Sequence, residues 1–258
     1  MSRLYPPLQI RILSVWHRHF SVYVKNLLSN GLPPFLEPFI FLMGIGLGLG
    51  RYVVDINGIS YIQFLATGLL VTSAMFTASF ECTYGTYIRL EFNNIYEGML
   101  AASITVNDLI IGEIFWAGTK GLFFSTAVLL IVAFFGLVPL PFSFIAPLIG
   151  FLTGLMFATL GLFISTLVSN INQFNFFFTG FLSPMFFFSG VVFPLSSLPK
   201  IVQGIAEVFP LTHSVRLVRA ICSGSFPYPL LFDFLYIVSV IVFFGALSIR
   251  RLSRKLVA

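Results

Sequence analysis

Residues 61–81 read YIQFLATGLLVTSAMFTASFE, and the first charged side chain in the stretch is the closing Glu81. A helix needs about 20 mostly apolar residues to cross the hydrocarbon core of a bilayer, and residues 59–81 supply them. Outward from this stretch, further segments meet the same requirement at roughly 33–50, 109–135, 142–168, 173–193 and 229–249. Only Ser169, Asn170, Ile171 and Asn172 separate the fourth span from the fifth, which predicts a tight polar turn between antiparallel neighbours. The pattern predicts an all-α integral membrane protein with six transmembrane helices.

Composition leads to the same class. Charged residues are 9% of the 258, against about 25% in an ordinary globular chain. Hydrophobic residues are 58%, mean hydropathy is +0.99 and there are 33 Phe. Nine acids and fourteen bases cannot clothe a soluble surface of this length, so a soluble enzyme is excluded. The net charge of +5 does not imply a nucleic-acid partner, because that needs a clustered basic face. The bases instead gather at the two ends, as Arg3, Arg11, Arg18 and Lys25, then Arg250, Arg251, Arg254 and Lys255. Two cysteines, Cys82 and Cys222, are too few for a disulfide framework. The three His are scattered and no Cys-x-x-Cys occurs, so no metal centre is expected. The first 30 residues lack the apolar core and small-residue cleavage site of a signal peptide.

Orientation follows from the Lys and Arg flanking the spans. With both termini in the cytoplasm, the inner side holds Arg3, Arg11, Arg18, Lys25, Arg89 and the four C-terminal bases, and the outer side holds Arg51, Lys200, Arg216 and Arg219. That excess and an even number of spans predict two cytoplasmic ends. Cys82 then lies near the inner face and Cys222 outside, too far apart to pair within one chain.

Three segments are too polar or too broken to cross. In 8–28, Arg11, Arg18 and Lys25 recur every seven residues, while Ile12, Trp16, Phe20, Tyr23 and Leu27 form a second stripe. Bases on one side and aromatics on the other predict a helix lying in the membrane interface. A solvated helix is the plainer alternative. In 82–107, Ile88, Phe92, Ile95 and Met99 are spaced for one helical face, with Arg89, Glu91, Asn93, Asn94 and Glu97 on the rest, which predicts a short cytoplasmic helix able to dock in a partner's groove. The segment 194–228 alternates apolar pieces with the breakers Pro194, Pro199, Gly204, Pro210, Gly224 and Pro227, and Pro229 follows it. It predicts short re-entrant or interfacial helices at the outer face, since irregular backbone at membrane depth must line a cavity or be buried in protein. A passive surface loop is the alternative.

No catalytic engine is visible. Residues 112–120, GEIFWAGTK, have the wrong spacing for a phosphate-binding loop. The run Gly44, Gly46, Gly48, Gly50 ends an apolar helix and suits close helix packing, as does the stripe Gly150, Gly154, Ala158. Ionisable residues at depth are the candidate functional groups. Lys120 lies about 16 Å into the third span at ~1.5 Å per residue. It either attracts an anionic substrate group or forms a structural ion pair, and the ion pair is the favoured reading. Glu113 is seven residues earlier on nearly the same face, too far for direct contact. Glu37, between Pro34 and Pro38, either bonds to freed backbone donors or lines an admission site. His213, Arg216 and Arg219 share one side of a helix, positioned either to meet phosphate or sugar groups or to form a salt-bridged rim.

Several stretches together resemble the permease subunits of type-2 ABC exporters, those of O-antigen, teichoic acid, capsule and above all nodulation-factor (lipo-chitooligosaccharide) export. They are EPFIFLMGIGLGLG at 37–50, the opening stretch at 61–81, IYEGML at 95–100, GEIFWAGTKG at 112–121, FFSGVVFPLSSLP at 187–199 and PLTHSVRLVR at 210–219. The resemblance covers essentially the whole chain. It implies an N-terminal interfacial helix at 1–30 and a six-helix permease domain at 31–258, paired as a homodimer in a bacterial inner membrane. It also implies two copies of a separate ATPase, which would hold ATP and Mg²⁺, so this chain itself would carry no cofactor. The coupling helix would be 88–100, with Arg89, Glu91, Phe92, Tyr96, Glu97 and Met99 toward the ATPase. The outer re-entrant helices would lie in 194–228. Glu37, Glu113, Lys120, His213, Arg216 and Arg219 are the candidates for the path of an amphiphilic glycan or glycolipid among membrane lipids. A drug or small-lipid exporter of the same family is the alternative. A channel or secondary carrier is disfavoured, because no inverted repeat with interrupted spans is apparent.

Overall fold

The structure is a computed structural model that describes residues 6–50, 52, 56, 58–102, 104–138, 140–224 and 230–257. Arg3, Arg51 and Pro227 lie outside the described residues, as does the stretch 225–229 at the end of the predicted outer segment. The described residues are overwhelmingly helical. Helix α1 is Leu8–Lys25 and α2 is the helical run 33–50. Next come α3 (Tyr61–Phe92), α4 (Ile95–Ala101), α5 (Val106–Phe134) and α6 (Ala146–Leu167). The run 171–188 is α7, followed by α8 (Lys200–Val208), α9 (Pro210–Ser223) and α10 (Leu230–Val257).

Among the described residues, α3, α5, α6 and α10 are long and apolar enough to cross a membrane. The predicted first and fifth spans are helical but broken. In α2, Pro38 sits inside the helix and residues Leu42–Leu47 form a π turn. In α7 a 3-10 start gives way to a π turn at Phe178–Leu182, and Pro184 follows. Proline removes a backbone donor and clashes with the preceding turn, and π turns absorb the mismatch. The polar turn between α6 and α7 closes on itself, with Asn170 Oδ1 accepting from Asn172 N and Gln173 Oε1 from Ser169 N.

The expected coupling helix at 88–100 is not one helix. Residues 88–92 form the last turn of α3, which runs without a break past Glu81. The chain then turns at Asn93 and Asn94, the latter with φ of 48°. Asn tolerates this left-handed conformation better than most residues, and α4 starts afresh at Ile95. Ile88 and Phe92 therefore do not share a helical face with Ile95 and Met99. Two π turns, Glu81–Gly85 and Ile88–Phe92, allow α3 to run on through sequence that reads as a loop.

Helix α3 is the centre of the bundle. Of its most apolar window 78% is buried, against 11% for α10, which lies at the periphery with Leu231, Phe232, Val242 and Phe243 exposed. Start signals are clear in α3 and α5, where Ser60 with Gln63 and Thr105 with Asp108 form capping boxes that satisfy the first backbone donors. Helices α5 and α6 touch backbone to backbone. A Cβ on Gly121 would lie 2.8 Å from the Gly150 carbonyl oxygen, and one on Gly150 would lie 2.3 Å from Ser125 Cβ. Gly154 faces Gly118 in the same seam. The stripe Gly150, Gly154 thus packs against a matching one on α5. The α2 run contributes only Gly46, whose Cβ would meet Ile62 at 2.9 Å, while Gly44, Gly48 and Gly50 have open space around them.

Overpacking a close-packed seam costs roughly 1–3 kcal/mol. We expect Gly121→Val to lower the thermal midpoint of the detergent-solubilised chain by that equivalent, and Gly180→Ala, with nothing within 4 Å, to leave it unchanged. The same midpoint for both variants would contradict the seam.

Candidate functional site

The acid at the heart of the predicted inner half is Glu113 on α5, whose side chain is 1% exposed. A buried carboxylate must be paired and hydrogen-bonded to remain charged, and three helices besides its own supply donors. Arg89 Nη2 on α3 donates to Oε2 at 2.8 Å. Tyr96 OH on α4 donates to Oε1 at 2.9 Å, and His19 Nε2 on α1 lies 2.9 Å from the same oxygen. Burial pushes the Tyr96 phenol well above its ordinary pKa, with the Glu113 charge adding to the rise, so it remains a donor.

Arg89 extends the network. Its Nη1 donates to Glu81 Oε1 at 2.7 Å, and Lys120 Nζ donates to Glu81 Oε2 at 2.9 Å. Glu81 and Arg89 are eight residues apart, which on a regular helix at ~100° per residue places them about 80° apart. The π turn at Glu81–Gly85 inserts extra residues into the helical turn and brings the two back together. Lys120 and Glu113, out of mutual reach, are joined through Glu81 and Arg89. At the edge of the network Asp108 caps α5 and also accepts from Arg11 Nη1 at 2.7 Å. Lys255 on α10 pairs with Glu91 at 2.6 Å.

Residues 112–121 make most of these connections. A Cβ on Gly112 would sit 2.6 Å from Val15 Cβ, so the missing side chain is what admits α1. Trp116 is stacked against His19 and meets Trp16 and Tyr23 edge-on. Trp16 Nε1 donates to Thr119 Oγ1 at 3.0 Å. Lys120 also lies over the Tyr23 ring at 5.6 Å. The aromatic side chains Trp16 and Tyr23 therefore face the protein, where the sequence suggested lipid. The outward face of α1 instead carries exposed Ile10, Leu13, Phe20 and Val24 among the polar Ser14, His17 and Lys25. The physical reason is that Arg11 and His19 find acids on α5.

One oxygen or nitrogen each from His19, Glu81 and Glu113 lie within 4.8 Å of one another, a spacing that suits a metal ion. Arg89 and Lys120 already neutralise both carboxylates and occupy their oxygens. A divalent ion would have to displace two cations, so the donor set fits an ion-pair lock better than a metal centre.

At the other end, His213, Arg216 and Arg219 do lie along α9 but play different parts. His213 is buried, with ring nitrogens 2.6 Å from Asp233 Oδ1 and 3.0 Å from the Glu207 carbonyl oxygen, and its ring stacks on Tyr236. Arg216 pairs with Glu207 and with Asp233. These two form a salt-bridged rim joining α8, α9 and α10. Arg219 turns away from the rim, its guanidinium 3.7 Å from the centroid of the Phe64 ring.

The remaining candidates are spread out. Glu37 is exposed beside an open apolar hollow of ≈ 430 Å³ formed with Pro33, Leu36, Ile40 and Phe41. Glu91, Phe92 and Glu97 are exposed, whereas Tyr96 and Met99 are buried and Arg89 is largely covered. Sequence reasoning missed His19 and Asp108 and left Glu81 without a role. His19 falls three residues after Trp16 and four before Tyr23, on the aromatic stripe, and that spacing is the one signal that pointed to it.

The chain matches the family model of the ABC-2 type transporter over residues 10–222. It is 38% identical over 207 residues to Nodulation protein J of Sinorhizobium fredii, covering 80% of this chain and 79% of that one. It is 35% identical to Nodulation protein J of Bradyrhizobium diazoefficiens, covering 93% and 94%. The inner membrane transport permease YadH of Escherichia coli is 26% identical over 91% of both chains. The chain belongs to the ABC-2 type transporter family. It is a multi-pass membrane permease subunit that works with a separate ABC ATPase.

Removing one partner of a buried ion pair typically costs about 3–5 kcal/mol, and an exposed pair at most ~1 kcal/mol. We expect Glu113→Ala to destabilise the chain by the larger amount and Glu91→Ala by the smaller, measured by unfolding in the same detergent. Equal losses would remove Glu113 from the centre of the fold.

Proposed function

We propose that this permease subunit exports a lipo-oligosaccharide or related glycolipid across a bacterial inner membrane, driven by the partner ATPase. The observation that carries the reading is the similarity to Nodulation protein J from several rhizobia over most of both chains. In this reading residues 1–30 hold the interfacial helix and 31–258 the permease domain. The broken runs α2 and α7 complete six spans, both termini are cytoplasmic, and two copies of the chain pair with two ATPases.

The inner network gives this reading a mechanism. Phe92 and Glu97 are exposed at the turn between α3 and α4 and meet the ATPase. Tyr96, one residue before Glu97, is bonded to Glu113. A push on α4 therefore reaches the carboxylate that also holds α1, α3 and α5, so these helices shift together. Arg89 and Met99 act inside this linkage rather than on the ATPase surface. Glu113 and Lys120 are structural, their charges being spent on Arg89 and Glu81. The lipid part of the substrate is admitted beside Glu37 and the apolar hollow, and its head group leaves between α3, α8 and α9.

Two outcomes test the proposal. Glu97→Lys is expected to abolish export while insertion and yield stay normal, and retained export would remove Glu97 from the ATPase contact. Purification of the tagged chain in mild detergent, with mass spectrometry of whatever accompanies it, is expected to yield a stoichiometric ATPase and a glycolipid. A homo-oligomer without ATPase in both detergent and lipid nanodiscs would overturn the reading.

A further inference from the structure

A cavity of ≈ 700 Å³ opens at the α9 end of the molecule, between the start of α3, the turn after α7 and one face of α9. Its lining is mostly apolar, with a few polar groups. Arg219 is the chief one. Its Nε donates to Thr67 Oγ1 at 3.3 Å, and its Nη2 donates to the carbonyl oxygens of Phe64 at 3.2 Å and Val191 at 3.4 Å. All of these acceptors are neutral. Among the described residues no carboxylate pairs with Arg219, whereas its neighbour Arg216 has both Glu207 and Asp233. The three acceptors and the Phe64 ring hold the guanidinium plane in place, and Nη1 is left without a hydrogen bond.

A second observation is independent of the arginine. Ser189 lines the same cavity, is 0% exposed, and its hydroxyl has no hydrogen-bond partner. Leaving a buried hydroxyl unsatisfied costs on the order of 1–3 kcal/mol, and native structures hold few such groups. Gln63 adds an amide at the rim of the cavity. Its Oε1 accepts from Ser60 N in the α3 capping box, which fixes the side chain and leaves the NH₂ group as a donor. A fixed guanidinium with Nη1 free, an orphan hydroxyl and an amide donor make up a site for an oxyanion, which arginine binds through charge-assisted N–H donors. The surrounding apolar wall strengthens the attraction by excluding water.

We propose that this cavity binds an oxyanion-bearing head group, a phosphate, sulfate or carboxylate carried on a sugar or a lipid, with Arg219 as the charge partner and Ser189 and Gln63 as neutral donors. The cavity's place on the outer face rests on the export reading; the binding itself does not. An exported acidic group would pause here before release; Arg216 also lines the cavity but its charge is met by Glu207 and Asp233, so Arg219 holds the group alone and weakly enough to let go.

Cys222 lines the same cavity and reports on it. With Cys82→Ala it is the single thiol of the chain. In nanodiscs of phosphatidylcholine, we expect anionic 2-sulfonatoethyl methanethiosulfonate to label Cys222 about tenfold faster than the cationic trimethylammonium reagent, after correction for their rates with a free thiol. Glucose 6-phosphate should slow the labelling, and glucose at matched ionic strength should not. Arg219→Gln should remove both effects, and Arg219→Lys should keep the charge preference. If Arg219→Gln fails to fold, the comparison of glucose 6-phosphate with glucose on the unaltered arginine still decides. Protection by phosphatidylglycerol alone would assign the anion to a lipid head group, and protection by the sugar phosphate to a glycan. Equal rates for the two reagents, protection by both sugars, or no labelling by either reagent would overturn the proposal. Labelling of intact spheroplasts from outside tests the placement separately. An anion preference seen only in inverted vesicles would reject the outward orientation and leave the site standing.

Discussion

The end of this protein where α1, α3, α4 and α5 meet is organised by the need to keep the Glu113 carboxylate charged where water does not reach. Removing such a group from water costs several kcal/mol even after relaxation, and the cost is recovered only if the surrounding donors are complete and well aimed. Arg89, Tyr96 and His19 meet that condition from three separate helices. Because each donor comes from a different element, satisfying one carboxylate also fixes how α1, α3, α4 and α5 sit against one another. The second acid, Glu81, repeats the arrangement with Arg89 and Lys120. The two carboxylates share one arginine, so the pairs form one continuous network.

The stretch 112–121 explains why so short a segment carries so much of the architecture. Its glycines, Gly112, Gly118 and Gly121, let α1 and α6 approach the backbone of α5. Glu113, Trp116, Thr119 and Lys120 fill the intervening faces with a charge, an aromatic platform, an acceptor and a cation. Close packing in a bilayer relies on such small residues, because lipid offers no hydrophobic drive between helices. Small and functional residues alternate because the same helix must be approached closely on two sides and pinned electrostatically on a third.

The two ends of the molecule treat charge differently. Around Glu113 and Glu81, acids and bases are matched and bonded. At the α9 end, His213 and Arg216 are locked to Asp233 and Glu207, while Arg219 holds its charge against neutral oxygens beside a cavity. Arg216 is matched by acids and Arg219 by neutral oxygens, and α9 places the two a single turn apart.

Several features were legible in the sequence for physical reasons. The scarcity of charge and the apolar runs near 20 residues determine a helical membrane protein, since only internally bonded helices can carry those runs through lipid. The four-residue polar turn at Ser169–Asn172 and the small-residue stripe at Gly150 and Gly154 follow from local chemistry alone. Lys120 as half of an ion pair was readable from its depth, because a lone charge there is too costly to leave unmet. Its partner was not, since Glu81 lies 39 residues away on another helix. The register of α3 was equally hidden. Only the π turn at Glu81–Gly85 rotates Glu81 and Arg89 onto one face, and only Asn94 in a left-handed conformation separates α4 from α3. Periodicity assumes a uniform helix, so a sequence read with it places 88–100 on one helix. What the sequence by itself determined is which residues must avoid water and which must find a partner; which partner each finds was decided by the tertiary structure, because that depends on helix register and long-range packing that no local pattern encodes.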